Sequence, residues 1–236
     1  MTKKNRRKMI LAASLCLCAL IAPAVSQAQA APELKMPQPG VPEIFTLEGK
    51  FVRAAYNNEG YVILGYQPAN RSIGGKWMLL EIGVTLLGDT PNYKLTRDAL
   101  SLETPDGKTI PLATVSEQRA GGTQGLQERA KMQRDSIDYF PSRANQPCRL
   151  AFFADLDSPG MPFDEVELSP VRACLGRIYF NVPEGIAYGQ HWLNVKFQNS
   201  LVRVPFKILT KDEEKFVGKN LKDIQKQVEE AFQPKN

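Results

Sequence analysis

The sequence predicts an all-β fold: an antiparallel sandwich or barrel over residues 44–209, followed by a C-terminal amphipathic helix over 210–236. Three observations predict it. Short segments alternate apolar and polar residues at period two. Clusters of Asn, Asp, Gly and Pro separate those segments. The apolar period lengthens to three and four only after Thr210.

From Ile44 onward the pattern is one of short β segments. Lys50–Tyr56 and Tyr61–Gln67 flank Asn57-Asn58-Glu59-Gly60, a hairpin signal. In Trp77–Leu87, Met78, Leu80, Ile82, Val84 and Leu86 share one parity and define a core face, with Glu81, Gly83 and Thr85 on the other. Leu100–Glu103 and Thr109–Val115 flank Thr104-Pro105-Asp106-Gly107-Lys108, where Asp-Gly suits a tight turn. Residues 116–147 break the rhythm and predict a long excursion, with Leu126–Arg134 helix-compatible. Strand signals return at Arg149–Ala154, Glu165–Leu168, Arg177–Val182, Trp192–Phe197 and Leu201–Leu209. In Arg177–Val182 the pattern sets Ile178, Phe180 and Val182 inward and Arg177, Tyr179 and Asn181 outward. Pro205 cannot donate to a ladder, which predicts an edge position for the last strand.

The terminal helix opens with Thr210-x-x-Glu213, a capping-box spacing. Val217, Leu221, Ile224, Val228 and Ala231 then form one stripe. Such a stripe docks on its own domain or serves as a coiled-coil seam between copies.

Lys76–Ala113, together with Gly189–Val195 and Val202–Ile208, resembles bacterial exported immunoglobulin-like domains of uncharacterised function. The first part has a long alternating strand, a short strand, Asp-Gly-Lys and another strand; the second is similar to the final hairpin of that fold. The resemblance covers about half of the chain beyond residue 30 and implies an immunoglobulin-like β-sandwich. It implies no site residues. The antibody-type Cys–Trp–Cys order is absent, since Trp77 precedes Cys148 and Cys174 and no Trp lies between them.

Residues 1–30 read as a cleavable signal peptide. Lys3, Lys4, Arg6, Arg7 and Lys8 precede an uncharged apolar run, Met9–Val25, and Ala28-x-Ala30 supplies a cleavage site, with a cut after Ala28 as the alternative. The competing reading is a membrane anchor. Pro23 and the polar stretch from Ser26 hold the run below the ~20 residues a spanning helix needs. Leu15 and Leu17 precede Cys16 and Cys18, a poor context for lipid attachment. Arg6-Arg7 leaves a twin-arginine route open beside general secretion. Residues 31–43, with Pro32, Pro37, Pro39 and Pro42, read as an extended leader.

The whole chain carries 30 Lys+Arg against 25 Asp+Glu. The five basic residues of the signal account for the excess, so the mature chain is formally neutral. That balance gives no support for nucleic-acid binding or an anionic membrane surface. Cys148 and Cys174 are the cysteines left after cleavage, and in an oxidising compartment they are expected to pair. Each is expected at a strand entrance, just before Arg149 and Arg177, with the bridge enclosing Asp155–Asp164.

His191 is the single histidine, so any hydroxyl- or thiol-based triad must use it. It starts a strand on the apolar parity, which favours a structural, partly buried residue. Asp155-Leu156-Asp157-Ser158-Pro159-Gly160 begins like a calcium loop, but Pro159 and Val166 fill positions that want oxygen ligands. Asp155, Asp157, Asp164 and Glu165 leave an irregular calcium site open. Gly121–Gly125 lacks the Lys-Ser/Thr of a phosphate loop. The expected function is therefore an exported, non-enzymatic binding or structural module of the cell envelope. A secreted carboxylate hydrolase is the first alternative, and an envelope assembly subunit joined through the helix is the second.

Overall fold

The computed structural model describes residues 44–132, 137, 146–154 and 160–232. These fall within one compact unit, Pro37–Asn236. The predicted signal peptide and leader lie outside the described residues, as do Asp155 and Asp157.

In chain order the strands are β1 (Ile44–Gly49), β2 (Val52–Tyr56), β3 (Gly60–Gly65), β4 (Trp77–Leu86), β5 (Tyr93–Thr96) and β6 (Leu100–Glu103). They continue as β7 (Thr109–Pro111), β8 (Gln146–Arg149), β9 (Glu165–Leu168), β10 (Arg172–Asn181), β11 (Gly189–Lys196) and β12 (Leu201–Ile208). The helices are α1 (Gln67–Asn70), α2 (Val115–Ala120), α3 (Gln124–Met132) and α4 (Lys211–Phe232). Among the described residues strand outnumbers helix, and α4 is the last described element.

The strands form a six-stranded sheet of order β1-β2-β3-β4-β10-β8, a four-stranded sheet of order β12-β11-β6-β7, and a β5-β9 pair. Pairing is antiparallel except between β8 and β10, which run parallel, so the expectation of a wholly antiparallel fold is corrected there. The two larger sheets share one core. Val62, Leu64, Leu80, Ile82, Ile178 and Phe180 of the first pack with Leu102, Leu193, Val195, Val204 and Phe206 of the second. Burying each such side chain contributes about 1.5–3 kcal/mol. Gly60 permits a close approach here, because a Cβ at that position would lie 2.2 Å from the Phe197 ring. Pro205 sits on β12, at the edge of its sheet, as its missing N–H requires.

The other parity of the large sheet departs from expectation. Glu81, Thr85, Arg177 and Tyr179 are all buried, not solvent-facing. Gly65, Glu81 and Arg177 stand side by side in register on that face, and Ile137 comes within 3.1 Å of where a Gly65 Cβ would lie. The excursion supplies this cover: Leu126 and Ala130 of α3 are buried in the same core cluster as Leu79 and Tyr179. Arg177 Nε donates to Glu81 Oε1 at 3.2 Å, a cross-strand ion pair that the covered face makes necessary.

The apolar run Leu150–Phe153 is not the predicted strand. The strand ends at Arg149, and Leu150, Ala151, Phe152 and Phe153 are all buried without alternation. Phe153 meets Tyr179 edge-on, centroids 4.9 Å apart, while the Arg97 guanidinium lies over both phenylalanines and donates to the Phe152 carbonyl at 2.6 Å. A chain buried on all sides fills a core whether or not it joins a ladder. The expectation that the cysteines flank strand entrances is corrected as well. Cys148 lies within β8 and Cys174 within β10, directly opposite each other in the parallel register.

α4 starts with the capping box that Thr210 and Glu213 predict: Thr210 N–H donates to the Glu213 carboxylate at 2.9 Å, and Glu213 N–H to the Thr210 hydroxyl at 3.3 Å. The stripe residues Val217, Leu221, Ile224 and Val228 are half-buried, and the helix packs on β1. Gln225 donates to the Leu47 carbonyl at 2.6 Å. That carbonyl belongs to an edge strand, so α4 covers an edge otherwise open to pairing.

Candidate functional site

Two turns of the same chemistry build the site. Thr104-Pro105-Asp106-Gly107 joins β6 to β7, and Val182-Pro183-Glu184-Gly185 leads from β10 towards β11. In each, proline presets the second position and glycine takes positive φ at the fourth, +81° at Gly107 and +85° at Gly185. In each, the glycine N–H donates to the carbonyl three residues back, at 2.9 Å. The second turn is also held from outside. Gly74 N–H donates to Ile186 O, Ile186 N–H to Gly75 O, both at 2.9 Å, and Val182 N–H to Lys76 O at 2.7 Å. A Cβ on Gly185 would lie 2.8 Å from the Gly74 carbonyl, so this close backbone approach requires glycine.

Between the turns lies a cleft of about 610 Å³, walled by Pro105, Ile110, Val182, Pro183 and Ala187, with His191 among its lining residues. Asp106 stands on one turn and Glu184 on the other. The Lys108 ammonium spans them, 2.9 Å from Asp106 Oδ2 and 2.5 Å from Glu184 Oε1. The Thr104 hydroxyl, donating at 2.5 Å, and Lys108 hold the Asp106 carboxyl down at about 2. Glu184 first, and then Asp106, raises the Lys108 ammonium above its ordinary value.

His191 is fully buried, where partial burial was expected. Its ring stacks on Phe206 with centroids 5.4 Å apart. Nδ1 lies 3.1 Å from the Gly189 carbonyl. A carbonyl only accepts, so the neutral ring carries its proton on Nδ1 and leaves a bare lone pair on Nε2. Nε2 has no hydrogen-bond partner among the described residues. Burial lowers the imidazole pKa, and the Gly189 carbonyl and the Asp106 charge pull weakly the other way. In a serine-type triad Nδ1 faces a carboxylate; here it faces a main-chain carbonyl.

The remaining sequence candidates are scattered. Asp164 is exposed with Arg97 Nε 3.9 Å away, and Glu165 pairs with Lys94. The two acids of the calcium reading within the described residues therefore each face a cation of this chain. Gly121–Gly125 forms the corner between α2 and α3. Gly121 packs against Trp77, and the buried Gln118 side chain donates to the Thr123 hydroxyl at 2.6 Å, so no backbone cradle opens there. The Cys148 and Cys174 sulfurs stand at disulfide distance, with Cα atoms 4.1 Å apart across a separation of 26 positions. Among the described residues no helix is long and apolar enough to cross a membrane.

The cleft itself was missed in the sequence, although the repeated Pro-acid-Gly of 105–107 and 183–185 was there to see. Nothing along the chain says that these two turns oppose each other. No protein-family model matches this chain, nor does any curated protein or solved structure.

Proposed function

We propose that the chain is an exported, non-enzymatic binding module of the cell envelope, built on an immunoglobulin-like β-sandwich and delivered by cleavage of residues 1–30. The observation that carries the binding reading is the cleft. Its walls are apolar, both turns are fixed by main-chain hydrogen bonds before any ligand arrives, and a few polar groups stand at its mouth. Preorganisation of this kind lowers the ordering cost of binding. The signal-like N-terminus and the facing cysteines support an oxidising destination outside the cytoplasm.

The test uses protein recovered from the envelope fraction of a producing bacterium. N-terminal sequencing is expected to begin at Ala31 or Gln29, and retention of Met1 overturns export by cleavage. Saturable binding of small ligands that perturbs the His191 ring without turnover supports the module. Hydrolysis of a panel of esters and glycosides that disappears in His191→Gln or Glu184→Gln supports the carboxylate-hydrolase alternative instead.

A further inference from the structure

We propose that the cleft binds a small organic ammonium ion, with the charged group between Asp106 and Glu184 and the apolar body on Ile110, Val182 and Ala187. The inference rests on the binding-module reading and names its ligand class.

The mouth already holds an ammonium of the right chemistry. Lys108 is an alkylammonium, and its Nζ sits between two carboxylates that arrive on separate, rigid turns. Two negative charges face one positive charge, so the mouth retains a net charge of −1 when Lys108 is in place. All three side chains are solvent-exposed: Lys108 is 56 % exposed, Asp106 49 % and Glu184 70 %. An exposed pair holds a lysine weakly, because solvent screens the attraction and the side chain loses entropy on being fixed, so the lysine is readily displaced. A ligand ammonium gains the same two carboxylates and also removes apolar surface from water, which Lys108, anchored on the adjacent strand residue, does less well.

The second observation is the floor. His191 is fully buried and lines the cleft, and its Nε2 has no hydrogen-bond partner among the described residues. One ring face is taken by Phe206 and Nδ1 by Gly189, so Nε2 is the ring nitrogen left buried and without a partner among the described residues. It offers a lone pair, an acceptor suited to an N–H or O–H donor and unsuited to a carboxylate. Mouth and floor therefore select the same kind of ligand: cationic or donor-bearing, never anionic.

Because His191 is the single histidine, its ring resonances report on the cleft without ambiguity once any purification tag is removed. Benzylammonium is titrated into the protein at pH 7 with benzyl alcohol as the uncharged isostere, following the His191 ring by NMR. Benzylammonium is expected to shift these resonances saturably and to bind several-fold more tightly than the alcohol, with a preference that falls as salt rises. Lys108→Met removes the internal competitor and is expected to tighten benzylammonium about two- to fivefold. Asp106→Asn and Glu184→Gln are each expected to weaken it by about the same factor, and the double variant to erase the preference over the alcohol. Circular dichroism of each variant verifies that the fold is retained. Equal binding of amine and alcohol overturns the ammonium assignment and leaves the binding-module reading standing. No binding of either probe to the wild type or to Lys108→Met overturns both.

Discussion

At the scale of the residue, a buried polar side chain acts through what its surroundings leave available. His191 is enclosed by Phe206 and the Gly189 carbonyl, and burial lowers its pKa below the ordinary 6.5. Below that value the unfolded chain takes up a proton that the folded chain resists. Stability is therefore fully present above about pH 6.5 and is lost as the pH falls through it. Urea unfolding between pH 8 and pH 5.5 is expected to show a falling midpoint for the wild type and a flatter one for His191→Gln. A wild-type midpoint that holds or rises towards pH 5.5 contradicts the buried neutral ring. Glu81 and Arg177 show the same rule on the opposite face of the large sheet. The alternation that marks Met78, Leu80 and Ile82 as core also marks their neighbours as outward, and a third layer buries those neighbours too. Period two distinguishes the two faces of a strand; it is silent on whether the second face is covered.

At the scale of the element, α4 joins the sheet through named contacts rather than through its apolar stripe alone. The Glu214 carboxylate takes both Arg71 Nη1 and Nη2, at 2.6 and 2.7 Å, and Lys50 at 3.0 Å. Arg71 first, then Lys50, pulls its pKa down to about 2, so its contribution is present above the ordinary carboxylate range and is lost as the pH drops towards 2. Glu214→Gln is expected to cost about 1 kcal/mol at pH 7, read as a lower urea midpoint with the α-helical circular dichroism retained. Truncation after Thr210 removes both the clamp and the Gln225 cover of Leu47, and is expected to produce concentration-dependent association through β1, detected by light scattering. A truncated chain that stays monomeric contradicts the edge-cover role. Capping was legible here from Thr210-x-x-Glu213. The same spacing at Thr114-x-x-Glu117 caps α2, with both reciprocal bonds formed, inside a segment whose first residues carry a strand pattern. Thr109–Val115 therefore stops as a strand at Pro111, and the cap begins three residues later.

At the scale of the whole molecule, the parallel pair β8–β10 ties the chain on either side of residues 150–171 into one ladder. Cys148 and Cys174 face each other within that pair, so a bridge closes the loop without rearranging the strands. On the chain-entropy account a loop of this length contributes about 3–4 kcal/mol. Reduction, or the double variant Cys148→Ser/Cys174→Ser, is expected to lower the unfolding free energy by about that amount, roughly 3–4 kcal/mol. Non-reducing digestion of exported protein is expected to yield one Cys148–Cys174 peptide by mass spectrometry. Two freely alkylated thiols contradict the bridge.

The sequence by itself determined the periodicity and therefore the elements. The core parity of β4, the buried row of β12, the edge position of Pro205 and the capped start of α4 follow from local spacing, because each is set by residues within a few positions of one another. Tertiary structure alone decided which elements meet. It laid the excursion over the second face of the large sheet, ran β8 parallel to β10, and packed Leu150–Phe153 into the core beyond the end of β8. It also brought two Pro-acid-Gly turns, 78 positions apart, to opposite sides of one lysine. Such contacts depend on loop closure and on the shape of the packed layers, and side-chain alternation along a strand encodes neither.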